Sequence, residues 1–162
     1  MTRQRPGAGP TGFFGVGVYK PRHHANVGAL WRTAATYDAA FLAVVEGRYA
    51  PRASDTADAP ARIPLLTFAD VDDLVAHLPH GCRLVGVEID ERAVPLDGFR
   101  HPRAALYLLG EESKGLEPEV LARCDETVMI PSPRPWSINV AVAGSIVVAD
   151  RHRAVRARAL RR

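Results

Sequence analysis

Apolar runs and polar breaks alternate along the chain, and the runs have two different periods. "GFFGVGVY" (12–19) is apolar almost throughout, as a strand covered on both faces must be, and it stops at Lys20-Pro21. "NVGALWRTAATY" (26–37) switches period: Val27, Leu30, Trp31 and Ala34 fall at i, i+3, i+4 and i+7, one face of a helix. Asn26 is the expected N-cap, because its side-chain oxygen can accept a free first-turn N–H. "AFLAVVE" (40–46) reads as a second strand, and the Pro-rich polar stretch 47–62 as a surface loop. The pattern then predicts an extended piece at 63–67, a helix at 69–78, and strands at 83–89 and 104–109. A helix at 117–123, a strand at 126–130 and a last helix at 137–157 complete it.

Strands that alternate with helices and are mostly continuous apolar runs imply an α/β fold, a mainly parallel sheet flanked by helices. Ligands of such sheets sit outside the carboxyl ends of the strands. Segments 20–32, 110–116 and 131–139 each come directly after a predicted strand, so they are expected to meet in one site.

Composition narrows this little. The 162 residues suit one domain, expected at 12–157, with a basic flexible arm at 1–11 and a basic end at 151–162. No apolar run approaches the roughly 20 residues of a membrane helix, and no signal-peptide core comes after the N-terminus. Cys82 and Cys124 match no zinc or redox spacing and read as reduced, buried thiols of a cytoplasmic protein. The net charge of +3 is unevenly spread: "RHRAVRARALRR" (151–162) holds six arginines and no acid, whereas "DVDD" and "EIDE" hold acids in the middle. Charge alone leaves open whether this is a polyanion-binding end or a solvated helix terminus.

The stretch "LLGEESKGLEPEV" (108–120) brackets a turn between Gly110 and Gly115. A phosphate loop would need Lys and Ser or Thr after the second glycine, and here Leu116 and Glu117 stand there. Glu111 and Glu112 would also repel phosphate, so the turn suits a ligand with a neutral or cationic part. In "IPSPRPWSINVAVAG" (130–144), Pro131, Pro133 and Pro135 exclude a helix before Trp136, and Ser137 is the expected cap of the last helix. In the 19–32 segment, Arg32 falls off the apolar helix face. It forms either a surface ion pair or a projection toward the site. His23 and His24 are adjacent, point different ways, and suggest no metal site.

In order, these segments resemble the three motifs of the SpoU (TrmH) family of RNA ribose methyltransferases, in the SPOUT class. Asn26, Gly28 and Arg32 match the first motif; Gly110, Glu112, Gly115 and Leu116 the second; Ile130, Pro131, Ser137, Ile138, Asn139 and Val140 the third. The match spans about residues 13–150. Two positions depart from the pattern: the third-motif loop "SPRPW" lacks glycine, and Ala141 replaces a serine.

The resemblance implies a deep C-terminal trefoil knot and a homodimer with its site at the subunit interface. It implies S-adenosylmethionine bound near Val87, Glu88, Leu109, Gly110, Gly115, Ile130, Pro131, Ser137 and Asn139. The catalytic set it implies is Arg32, Glu112, Ser137 and Asn139, with Arg32 at the reacting 2′-hydroxyl and Glu112 orienting Arg32 or its partner-subunit equivalent. No metal is called for. RNA contacts are expected from Asn26, Arg22, His23, Arg32, Arg151 and Arg153. Of the adjacent acids, Glu111 is expected to be solvated. A tRNA substrate is favoured over rRNA by the compact build. A catalytically silent RNA-binding paralogue and an unrelated nucleotide-binding α/β protein are the alternatives.

Overall fold

The apolar runs assemble side by side into one seven-stranded sheet. In chain order the strands are β1 (Phe13–Tyr19), β2 (Phe41–Val45), β3 (Leu65–Phe68), β4 (Arg83–Val87), β5 (Val94–Pro95), β6 (Ala104–Leu109) and β7 (Glu126–Met129). The spatial order is β3-β2-β1-β6-β4-β7-β5, and every pairing is parallel. This is a computed structural model describing residues 12–51, 58–134 and 136–161. The arm expected at 1–11 and part of the 47–62 loop lie outside the described residues.

The continuous apolar character of β1 and β6 is explained by their central place. Side chains on one face, among them Val16, Val18, Tyr107 and Leu109, pack under α1 (His24–Thr36) and α5 (Val140–Ala159). Those on the other face, among them Tyr19, Leu106 and Leu108, pack with Leu74 of α3 (Val71–His77) and Val120 of α4 (Pro118–Leu121). Leu30 and Trp31, on the helix face read from the sequence, are buried in the first layer. Each such side chain contributes about 1.5–3 kcal/mol by leaving water.

The two caps expected from the sequence, Asn26 and Ser137, are both displaced. α1 begins before Asn26, at His24, with His23 as a cap that makes no side-chain bond. Asn26 is therefore inside the first turn and its amide is free for other work. α5 begins after Ser137: Asn139 is its cap, accepting from the N–H of Ala141 (2.9 Å) and Val142 (3.3 Å). Two elements are not legible in the sequence. α2 (Ala59–Arg62) is a single turn inside the loop, and β5 is two residues long. Neither is long enough to show a period.

The amino ends of β1 and β6 are closed by α5. Arg151 is 3% exposed. Its guanidinium donates to the carbonyls of Pro102 (2.6 Å), Arg103 (3.0 Å) and Phe13 (3.2 Å) and to the Tyr107 hydroxyl (3.2 Å). His101, also buried, bridges the Tyr107 hydroxyl (2.6 Å) and Asp150 (2.9 Å). This corrects the expectation that Arg151 touches phosphate. The donors of its two terminal nitrogens are directed at strand-end carbonyls and the Tyr107 hydroxyl inside the fold, and the Arg103 carbonyl also accepts the Phe13 N–H at 3.1 Å.

Candidate functional site

The carboxyl ends of β4, β6 and β7 border a cavity of about 260 Å³. Val87, Glu88, Leu109, Gly110, Gly115, Ile130 and Ser137, all expected at a cofactor, line it. Pro131 and Asn139 are not on its wall. Ile89, Glu111, Lys114, Trp136 and Ile138 are on it, beyond the set that the sequence suggests.

The glycine turn owes its shape to its own packing. After β6, Glu111 and Gly115 bond reciprocally across an antiparallel bridge, at 3.1 and 2.9 Å. A Cβ on Gly110 would sit 2.1 Å from the Gly115 carbonyl carbon. Gly115 has φ +68°, and a Cβ there would lie 2.2 Å from Glu88 Oε2. That carboxylate accepts the Leu116 N–H at 2.6 Å, so Glu88 is the peg around which the turn closes.

The two adjacent acids have distinct tasks. Glu111 is 8% exposed rather than solvated, pairs with Arg22 Nε at 2.8 Å and accepts from the Ser113 hydroxyl at 2.7 Å. Its inward placement results from the bridge to Gly115, which no local sequence signal announces. Glu112 accepts from the backbone N–H of Arg22 and His23 (both 3.2 Å) and from Asn26 Nδ2 (3.1 Å). Desolvation pushes its carboxyl up, but donation from Asn26 and from nearby backbone N–H groups outweighs this and holds it below the usual range. Within the chain Glu112 orients the 22–26 segment rather than Arg32.

Asn26 links the three segments. Its amide nitrogen donates to Glu112 while its carbonyl oxygen accepts from Asn139 Nδ2 at 3.1 Å. Asn139 thus spends one end capping α5 and the other fixing Asn26. A second tie joins Lys20, just past the end of β1, to Glu117 at 3.2 Å and to Glu46 at 3.2 Å. Tyr19 donates to Glu117 at 2.8 Å, and burial pushes its hydroxyl up to about 12.

Arg32 stands apart. It is exposed on α1, is not on the cavity wall, and has no ion pair among the described residues. Arg22 and His23 are exposed beside the Glu112 cluster, and Arg153 is exposed on α5. No group of three or more metal-ligating side chains occurs among the described residues.

Three motif segments tied by one asparagine at the strand ends can be compared with known proteins. The sequence pattern of the SpoU rRNA Methylase family matches residues 14–149. The chain belongs to this family. It is 32% identical over 134 residues to the 23S rRNA (guanosine-2'-O-)-methyltransferase of Acinetobacter baylyi, covering 77% of this chain and 53% of that protein. It is 29% identical over 143 residues to the tRNA (guanosine(18)-2'-O)-methyltransferase of Escherichia coli, covering 84% and 60%. The chain thus spans about half to three-fifths of the curated relatives it matches. Among solved structures, one concerned with the 2-OH methylation of C/U34 on tRNA superposes with TM-score 0.78 at 26% identity, covering 91% of this chain and 99% of that one. The SpoU methyltransferase AviRb of Streptomyces viridochromogenes, in complex with AdoMet, superposes with TM-score 0.69 at 26% identity, covering 91% and 58%. The A. aeolicus TrmH/SpoU tRNA modifying enzyme, at 16% identity, TM-score 0.82 and coverage of 90% and 77%, shares the fold.

Proposed function

We propose that this SpoU-family chain transfers a methyl group from S-adenosylmethionine to a ribose 2′-hydroxyl of RNA, with tRNA the favoured substrate. The observation carrying this reading is the Asn26 bridge, which joins Glu112 and Asn139 beside a carboxylate-rimmed cavity at the strand ends. The cavity residues fit such a cofactor. Glu88 and Glu112 place negative charge on the wall, suited to a sulfonium and unsuited to a phosphate. Val87, Leu109 and Ile130 supply apolar wall, Gly110 and Ser137 supply polar groups for the adenosyl part, and Gly115 lets the backbone come close.

The bound cofactor supplies an already activated methyl group, so the protein's task is positioning and handling the developing alkoxide. In this reading Arg32 carries that role, stabilising the oxyanion and gripping an adjacent phosphate bidentately, because a guanidinium hardly deprotonates. Arg32 is not on the wall of its own cavity, which supports a homodimer in which it serves the partner's site. Ile138 just before α5, and Val142 and Ile146 on it, 37%, 49% and 37% exposed, are the apolar surface for that dimer. In this reading the C-terminal half carries the trefoil knot that the family motifs imply. A cytoplasmic location fits the RNA substrate.

Favouring tRNA is the tRNA-directed neighbour that matches over 99% of its length. The relative directed to 23S rRNA keeps rRNA as the second reading. Calorimetry with S-adenosylmethionine and with ATP, then mapping of ribose methylation in RNA from a deletion strain, tests the proposal. Binding of the first ligand only and loss of one 2′-O-methyl mark are expected. Binding of ATP only, or an unchanged methylation map, overturns it.

A further inference from the structure

Trp136 is 70% exposed on the rim of the cavity, whereas the chain's other tryptophan, Trp31, is 3% exposed and donates to the Ile63 carbonyl. The Arg134 guanidinium lies 5.7 Å from the Trp136 ring centroid. No carboxylate pairs with Arg134 among the described residues. The segment is stiff: Pro131 and Pro133 fix its backbone, and the Ser132 hydroxyl donates to the Arg134 carbonyl. An exposed aromatic face at the mouth of a cavity with a guanidinium beside it has the make-up of a base-stacking surface.

We infer that Trp136 is a stacking platform for a nucleobase of the RNA substrate, with Arg134 meeting a neighbouring phosphate; this rests on the function proposed above. Stacking on an aromatic ring suits any base, because each has a π-face, and the adjacent guanidinium adds phosphate attraction. The deep wall residues Leu109 and Val87, 2% and 8% exposed, are the better place for the cofactor. Trp136, in the segment where the family carries a glycine-bearing loop, thus places a base-binding ring beside the reaction site.

The test uses the full chain, S-adenosylmethionine, and total RNA from a deletion strain, which contains the unmethylated substrate. Trp136 fluorescence, isolated by subtracting the Trp136→Phe signal, is expected to be quenched by the RNA and little changed by the cofactor. Trp136→Ala is expected to raise KM for RNA roughly tenfold, with cofactor affinity unchanged and most of the loss restored in Trp136→Phe. Quenching by the cofactor alone, or an unchanged KM for RNA in Trp136→Ala, overturns the inference. So does a Trp136 signal that shifts with protein dilution, which would place the ring against a second copy. Absence of methyl transfer in the unaltered protein is a failure of the proposed function, and RNA quenching would still decide the platform.

Discussion

Strands β1 and β6 carry a polar network at each end, and the two networks differ in what they leave open. At the amino end, Arg151 and His101 are buried, and together they meet three carbonyls, the Tyr107 hydroxyl and Asp150. At the carboxyl end, Glu112, Asn26 and Asn139 are also bonded to one another, yet they stand beside a cavity and beside exposed cations. A network enclosed in packed core holds the chain together; a bonded network that faces space can hold a ligand as well. Arginines at the two ends therefore have opposite meanings, although the sequence presents them alike.

Substitutions at the two ends should separate these meanings. The largest effect is expected at Arg32: Arg32→Ala should lower methyl transfer by at least about a hundredfold while calorimetry shows cofactor affinity intact. Retained turnover would remove Arg32 from the catalytic set. Next is Gly115→Ala, where both the positive φ and the contact with Glu88 oppose a side chain. It should abolish cofactor binding with the far end of the sheet still folded, read by calorimetry beside circular dichroism.

At the amino end, Arg151→Ala removes four buried hydrogen bonds and the packing of the guanidinium and should cost about 3 kcal/mol, lowering Tm by roughly 6–12 °C. The salt dependence of RNA binding should not move, and a flatter slope would restore Arg151 as a phosphate contact. Removing residues 151–162 is for this reason a poor test of RNA binding, since it also removes a structural residue.

Burial outweighs the Asp150 bond at His101 and pushes its pKa below the ordinary value. The unfolded chain then takes up a proton that the folded one resists, so this contribution is present above about pH 6.5 and is lost as pH falls through that value. Urea midpoints should decline below that pH, and His101→Gln should flatten the decline. The smallest effect belongs to Arg153, 72% exposed in its side chain and paired with Asp150 at 2.7 Å. Arg153→Ala should change stability by under about 0.5 kcal/mol yet reduce the salt slope by about one if it touches phosphate.

Much of the fold is readable from period alone. Continuous apolar runs mark the central strands because a strand covered on both faces has no polar position to alternate with. The Val27/Leu30/Trp31/Ala34 spacing marks the buried face of α1, because a helix covered on one side repeats its apolar positions every turn. Caps and short elements are less legible. Ser137 and Asn139 are both good caps chemically, and only the path of the chain into α5 decides between them.

The sequence by itself determined the alternation of strands and helices, the order of the three motifs, and the residue types at the strand ends. These depend on local period and on side-chain chemistry, which each residue carries wherever it goes. Tertiary structure decided which charges are spent and which remain available. Glu111 became a buried partner of Arg22, Arg151 became a strand-end cap, and Asn26 left its expected capping role to join Glu112 to Asn139. Burial and partnership arise between segments as many as 138 residues apart, as for Arg151 and Phe13, and no local pattern encodes such a meeting.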